Sequence, residues 1–283
     1  MNDLTVVIPN FNKSKYIEEC VKSVLKQTFL PDEVIIVDDK STDNSREIII
    51  RLENQNGLIR HIFLDKNSGV SNARNVGLHE CKTKYITFLD SDDLYYNCAK
   101  LENEMNLLYE REKKEQFVLA YSKTVLIDSK GNQICCRQNR HFHKREFIKG
   151  KNVLYVLVSL LKQKRVPRDY CIRKAVIESV GAFSYPYDFY EDLDLLMRLA
   201  KAGVFFAPTY ESGTGYRQLD GGLSHRSKES HRIAIKGICN SYYIGLSAKD
   251  KIRATFLRIV KVIIDTIIGI CKQITNVKAN KRG

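Results

Sequence analysis

The chain has 283 residues, is 43% hydrophobic, and carries 46 Lys and Arg against 33 Asp and Glu, a net charge of +13. Its length suits one large α/β domain or a domain with an appendage, and its apolar content excludes a disordered chain. The charge calls for an anionic partner. No basic stripe interleaved with aromatics is present, so nucleic acid ranks behind a phosphate-bearing substrate or a membrane surface. The eight cysteines form no C-x-x-C pair, which argues against a zinc site. No basic leader with a cleavable apolar core follows Met1, and reduced thiols in the cytoplasm are expected.

The first half alternates apolar runs with helical patterns. Leu4 to Ile8 reads as a buried strand, and Ser14 is placed to cap a helix whose Ile17, Val21, Val24 and Leu25 share a face. Val34 to Val37 is a second strand, ending at Asp38-Asp39, with a helix from about Thr42 that turns Ile48, Ile49 and Leu52 inward. Ile59 to Leu64 is a third strand, Ala73 to Leu78 lies in a helix, and Tyr85 to Leu89 is a fourth strand. Strands apolar at nearly every position are buried on both faces, as in a parallel sheet covered by helices. Further on, Phe117 to Ser122 and Thr124 to Ile127 read as strands before a turn at Asp128 to Asn132. Cys171 to Arg173 is a short strand, and Asp192 to Ala202 an amphipathic helix with Leu195, Leu196 and Leu199 inward.

The most telling segment is Asp90-Ser91-Asp92-Asp93, set directly after the fourth strand. Carboxylates this close repel one another unless a cation neutralises them. A hard divalent ion, held by one or two carboxylates and completed by substrate phosphates, would do so; a solvated Asp-rich turn is the plainer alternative. In open parallel sheets ligands bind beyond the carboxyl ends of the strands. That rule gathers Pro9-Asn10-Phe11, Asp38-Asp39 and Asp90 to Asp93 around one crevice. Asp38-Asp39 can equally be a helix-capping turn, since Ser41 to Asp43 follow.

From about Lys249 the character changes. Lys251, Arg258, Asp265 and Lys272 recur every seventh residue, with Lys261 nearby, in a run otherwise rich in Ile, Val and Leu. Charges interrupt it too often for a membrane span. A wide apolar face with a narrow basic stripe fits a helix lying on an anionic bilayer, or else one packed on the sheet or on a second subunit of a homo-oligomer.

The ordered set of motifs resembles glycosyltransferase family 2, the inverting enzymes of the GT-A fold, over roughly residues 3–225. The pieces are Val6-Val7-Ile8-Pro9-Asn10-Phe11-Asn12-Lys13, Ser23 to Thr28, Glu33 to Asp43, and Asn67-Ser68-Gly69-Val70-Ser71-Asn72-Ala73-Arg74-Asn75-Val76-Gly77. Leu89 to Asp93 stands at the family's DXD position, and Gly181-Ala182-Phe183 with Glu191-Asp192 matches its acceptor-side pattern. The resemblance implies an α/β GT-A domain over 1–225, with a Rossmann-like, mostly parallel sheet and helices on both faces. Its nucleotide-binding half would be about 1–115, its acceptor half about 116–225, and residues 226–283 a helical C-terminal extension.

It further implies a nucleotide-sugar donor, a UDP-sugar first, with Mn2+ or Mg2+ and a glycan or lipid-linked acceptor. The base would lie between the Pro9-Phe11 turn and Asp39, with Asn67, Gly69, Arg74, Asp90 and Ser91 completing the nucleotide-sugar site. Gly69 permits close backbone approach, and Arg74 can pair with a phosphate or with the Asp cluster. Asp92 would ligate the metal, and Asp192 would act as the base on the acceptor hydroxyl, with Asp194 as competitor. The acidic pair could instead only complement a helix N-terminus. Glu191 and Arg217 would belong to the acceptor side and its lid. Many members carry a His two residues after that Arg; Leu219 stands there in this chain, and His225 is the weaker candidate for reaching the metal.

A sugar nucleotidyltransferase is the competing enzyme class, but its Gly-rich first loop is replaced by Pro9-Asn10-Phe11-Asn12. A non-catalytic membrane-bound scaffold is disfavoured by Asp92 and Asp192. A processive synthase is disfavoured by the absence of Gln-x-x-Arg-Trp in a chain with no Trp. The location expected is cytoplasmic, peripheral on the inner face of the membrane.

Overall fold

The computed structural model describes residues 2–134, 149–151, 167, 169–183 and 190–219. In chain order these form β1 (Leu4–Asn10), α1 (Ile17–Leu25), β2 (Glu33–Asp38), α2 (Ser45–Gln55), β3 (Ile59–Phe63), α3 (Val70–Glu80) and β4 (Tyr85–Phe88). Then come β5 (Leu94–Tyr95), α4 (Lys100–Glu112), β6 (Val118–Ile127), β7 (Cys171–Arg173), α5 (Lys174–Ser179), α6 (Glu191–Lys201) and β8 (Phe205–Arg217). The eight strands make one mixed sheet in the order β3-β2-β1-β4-β7-β6-β8-β5.

The parallel part is β3-β2-β1-β4. Every residue of β1 is buried, because helices cover both faces of this central strand. Edge strand β3 buries only Ile59 fully. Helix α1 turns Ile17, Cys20, Val21 and Val24 into the core. Helix α3 docks flush on β1: a Cβ at Gly77 would come within 2.3 Å of Val7 Cγ1, so only glycine fits that contact. Because β1, β2 and β4 run parallel as neighbours, Asn10, Asp38 and Leu89 leave the sheet at one edge. The strand ends that the sequence reading groups together therefore share this edge.

Several boundaries differ from the sequence reading. Ser14 does not cap α1, which begins after Tyr16; its N–H instead donates to Asp43 Oδ2 at 2.9 Å. Helix α2 starts at Ser45, not Thr42, because Asn12 Oδ1 takes the N–H groups of Thr42 and Asp43 and holds them in the turn. The runs before and after Lys123 are one strand, β6, with a register irregularity between Tyr121 and Thr124 where it pairs β8. Leu4 and Tyr85 extend as strands as expected, and Leu195, Leu196 and Leu199 are fully buried on α6.

Helix α4 was not legible because its inward face carries charge. Lys100 and Glu104 are buried beside Leu101, Met105 and Leu108. Lys100 Nζ lies 3.0 Å from Glu104 Oε2 and 3.3 Å from Asp169 Oδ2, over the ring of Tyr95 at 4.3 Å. Thr214 donates to Asp169 at 2.7 Å. Two buried carboxylates share one ammonium, so the cluster is short of one positive charge. Burial pushes the Glu104 carboxyl up to about 7 despite Lys100, and Asp169 adds to the rise.

A carboxyl whose folded pKa exceeds its unfolded value binds its proton more tightly in the native state. Its contribution is complete below the ordinary carboxylate range and is lost as pH rises through about 7. Urea unfolding at pH 5 and pH 8 should therefore show lower stability at the higher pH. Glu104→Gln should flatten that difference, and an unchanged slope in the variant would refute the assignment.

Candidate active site

The edge is assembled from loops whose polar side chains bind one another's backbone. Asp38, fully buried at the end of β2, accepts from Arg46 Nε at 2.8 Å, from Ser41 N–H at 2.9 Å and from Asn10 Nδ2 at 2.8 Å. Asn12, at φ +53°, and Lys40, at φ +64°, both adopt the left-handed turn conformation this packing requires. Asp39 is buried as well, and its two oxygens accept Ser68 N–H at 2.8 Å and Gly69 N–H at 2.7 Å. Asp39 thus fixes the loop that starts α3. Gly69 sits at φ +86° with open space where a Cβ would project. Phe11 and Asn67 are exposed on the same rim, and Pro9 is buried in β1 beside Val37.

The carboxylate turn follows β4. Asp93 N–H donates to Asp90 O at 2.9 Å, closing the turn and burying Ser91 and Asp93. Asp90 and Asp92 keep accessible side chains, at 39% and 25% exposure. Each carries a cation: Arg74 Nη2 lies 2.6 Å from Asp90 Oδ1, and Lys13 Nζ lies 2.6 Å from Asp92 Oδ2. Lys13, two residues beyond the Phe11 rim, was quoted in the first motif yet had no role in the sequence reading. Its position across the crevice from the turn comes only from β1 and β4 being neighbours.

Arg74 joins the two halves of the edge. Its guanidinium is buried on α3, lies over the Phe183 ring at 5.4 Å, and reaches Asp90 with one nitrogen and Glu191 with another. Burial opposes its charge, but Asp90 and Glu191 outweigh that and hold it above its ordinary range. Burial pushes the Glu191 carboxyl up, against the pull of Arg74, with Asp192 beside it adding to the rise. Asn75, next on α3, exchanges two hydrogen bonds with the Phe183 backbone, at 2.9 and 3.0 Å. The chain enters α6 through Tyr190 at φ +70°, a left-handed residue that costs roughly 1–2 kcal/mol.

The two candidate bases on α6 separate clearly. Asp194 is buried and paired with Arg198, whose Nε and Nη2 lie 2.9 and 2.8 Å away. Asp192 is partly exposed and accepts its own Leu193 N–H at 2.7 Å. Among the described residues no cation sits on Asp192. Arg217, expected in the acceptor-side lid, is instead buried behind the carboxylate turn, donating through Nε to Asp92 O at 2.7 Å. His225 and the extension from 226 onward lie outside the described residues.

No group of three His, Cys, Asp or Glu among the described residues converges on a metal position. Asp90 and Asp92 instead supply two accessible hard-oxygen ligands on one turn. That donor set fits an ion of the Mg2+ or Mn2+ kind, which takes one or two carboxylates and completes its shell with substrate phosphates and water.

A mixed sheet whose strand ends carry a buried Asp and a carboxylate turn, with an acidic helix start beside them, is an α/β architecture with its polar groups gathered at one edge. The chain belongs to glycosyltransferase family 2: the sequence model described as Glycosyl transferase family 2 matches residues 5–159. It is 40% identical over 108 residues to the glycosyltransferase GlyG of Streptococcus pneumoniae, covering 38% of this chain and 34% of that protein. It is 41% identical over 108 residues to the putative teichuronic acid biosynthesis glycosyltransferase TuaG of Bacillus subtilis, covering 38% of this chain and 42% of that one. The chain thus spans less than half the length of either relative. TarS of S. aureus, solved as residues 1–349 with UDP, superposes with a TM-score of 0.63 at 21% identity, over 89% of this chain and 69% of that one. TarS has also been solved with UDP-GlcNAc, with a TM-score of 0.60 at 19% identity, over 89% of this chain and 79% of that one. The fold is GT-A.

Replacing Arg74 by Ala strands a buried carboxylate and should cost about 3–5 kcal/mol, the usual penalty for breaking one side of a buried pair. Arg74→Lys should recover only part of it, because an ammonium cannot fork between Asp90 and Glu191. Denaturant unfolding checks both; a loss below about 1 kcal/mol for Arg74→Ala would mean the pair is solvated, as exposed pairs are.

Proposed function

We propose that the chain is an inverting, metal-dependent glycosyltransferase that moves a sugar from a UDP-sugar to an acceptor hydroxyl of a surface polysaccharide or lipid-linked glycan. The observation that carries this reading is the Arg74 bridge, which ties the Asp90–Asp92 turn to the helix start bearing Asp192. A donor site and a base are thereby held on one edge. The S. aureus TarS complexes with UDP and UDP-GlcNAc share the fold and support a uridine diphosphate donor. The similarity to the putative teichuronic acid biosynthesis glycosyltransferase TuaG supports a cell-surface polymer as acceptor.

In this reading Pro9, Phe11 and Asp39 receive the base, and the Ser68–Gly69 backbone, fixed by Asp39, frames the nucleotide. Asp90, Ser91 and the Asn67 rim face the ribose and sugar, and Lys13 shifts from Asp92 toward the diphosphate. Asp92 and Asp90 would hold Mn2+ or Mg2+, which supplies Lewis-acid neutralisation of the departing diphosphate. Asp192 accepts the proton of the acceptor hydroxyl as its oxygen attacks the anomeric carbon from the face opposite the diphosphate. The new glycosidic bond forms as the bond from that carbon to the diphosphate oxygen breaks. A positioned carboxylate base contributes about 10²–10⁴-fold. Asp194, committed to Arg198, serves the helix and not the reaction.

No helix among the described residues is long and apolar enough to cross a membrane. We take residues 1–225 as the transferase domain and 226–283 as an extension whose apolar and basic pattern suits an anionic bilayer near a lipid-linked acceptor.

Release of nucleoside diphosphate from a panel of nucleotide-sugars tests the reading. Turnover should be Mn2+- or Mg2+-dependent and specific to UDP-sugars. Asp192→Asn should lower kcat by about 10²–10⁴-fold while leaving UDP affinity unchanged. Asp194→Asn should appear chiefly as lost thermal stability. Full activity of Asp92→Asn in the presence of chelator would overturn the metal role, and equal loss of donor affinity and turnover in Asp192→Asn would overturn the base.

A further inference from the structure

Arg217 ends β8 with its side chain fully buried, and every nitrogen it owns makes a hydrogen bond. Its backbone N–H donates to Asp93 Oδ1 at 2.8 Å and its Nε to Asp92 O at 2.7 Å. Nη1 is shared between the carbonyls of Asp128 and Ser129, at 3.1 and 3.0 Å, and Nη2 pairs with Glu19 Oε2 at 2.6 Å. The guanidinium lies 4.8 Å over the Tyr16 ring. The 128–132 turn closes tightly on this group: a Cβ at Gly131 would meet Glu19 Oε1 at 2.9 Å. Four segments, α1, the carboxylate turn, the turn after β6 and β8, therefore meet on one cation.

Of these contacts, two grip the carboxylate turn from its inner side. Asp92 is thus held at two points, its backbone carbonyl on Arg217 and its carboxylate Oδ2 on Lys13. A side chain on a turn can be aimed only as well as its own backbone is fixed, and small displacements of a ligand are costly. Groups that orient a metal ligand through its hydrogen bonds typically matter by about 10–100-fold in affinity.

We propose that Arg217 is a positioning residue for Asp92, that Glu19 sets the pose of Arg217, and that the pair governs how tightly the crevice takes a metal-bound nucleoside diphosphate. This rests on the metal-dependent UDP-sugar reading. Neither residue reaches the nucleotide itself. Arg217 acts through the Asp92 and Asp93 backbone and carboxyl, and Glu19 acts through Arg217. Glu19 has a side chain 48% exposed, so Glu19→Gln keeps its shape and removes only the charge facing Arg217.

The test is calorimetric titration of the full chain with UDP, with and without Mn2+, for wild type, Glu19→Gln, Glu19→Ala and Arg217→Lys. The gain in UDP affinity conferred by Mn2+ should fall by about tenfold or more in Arg217→Lys and by a smaller factor in the Glu19 variants. UDP affinity without metal should stay at the wild-type value in every variant. If wild type gains from Mn2+ and all variants gain equally, the positioning role falls while the metal reading stands. A parallel loss of metal-free and metal-bound affinity marks a purely structural role and likewise overturns the proposal. If wild type gains nothing from Mn2+, both readings fall.

Discussion

A single buried guanidinium, that of Arg74, sets the geometry on which the rest of this edge depends. It faces Asp90 at the end of β4 and Glu191 at the start of α6, residues 101 positions apart in sequence. Without it, the mostly buried Glu191 carboxylate would lose its cation and face Asp90 from another element with like charge. With it, the donor side and the acceptor side of the crevice are tied by two charge-assisted hydrogen bonds from one planar group. Lysine could not do this, since a compact ammonium cannot present separate nitrogens to both partners.

The same economy recurs around the edge. Arg46 answers Asp38, Lys13 answers Asp92, and Arg217 answers the backbone of the carboxylate turn. Each acidic group at the strand ends is held by a cation or by backbone N–H groups before any ligand arrives. Such a site is already organised for a charged substrate and has little reorganisation left to do on binding. The excess of basic residues over acidic ones then has a local meaning. In the proposed reading Lys13 exchanges its bond to Asp92 for a phosphate of the donor.

Much of the nucleotide-side fold was legible because β1, β2 and β4 are apolar at nearly every position, and their polar ends announce the crevice. The carboxylate turn and Asp39 were legible for the same reason. Three things were hidden. Helix α4 carries Lys100 and Glu104 on its buried face, so its charge pattern contradicts its burial. Strand β8 contains Pro208, Glu211 and Gly213 and pairs β6 through a register shift, which breaks the alternation expected of a strand. The place of Arg217 was hidden because its partners, Glu19, Asp92 and Asp128, lie 198, 125 and 89 positions from it and meet only when β8 closes beside β6. The family pattern alone favours Asp192 over Asp194; the Arg198 pair on Asp194 is a structural contrast that spacing offers but does not require.

The central claim is that the edge formed by β1, β2 and β4 is a UDP-sugar site with its metal ligand at Asp92 and its base at Asp192. A crystal structure of the chain with UDP and Mn2+ tests it most directly. The account expects the uracil beside Asp39 and Phe11, the diphosphate and ion on Asp90 and Asp92 with Lys13 moved onto phosphate, and Asp192 facing an open acceptor space. A nucleotide bound elsewhere, or an ion held without Asp92, would contradict it.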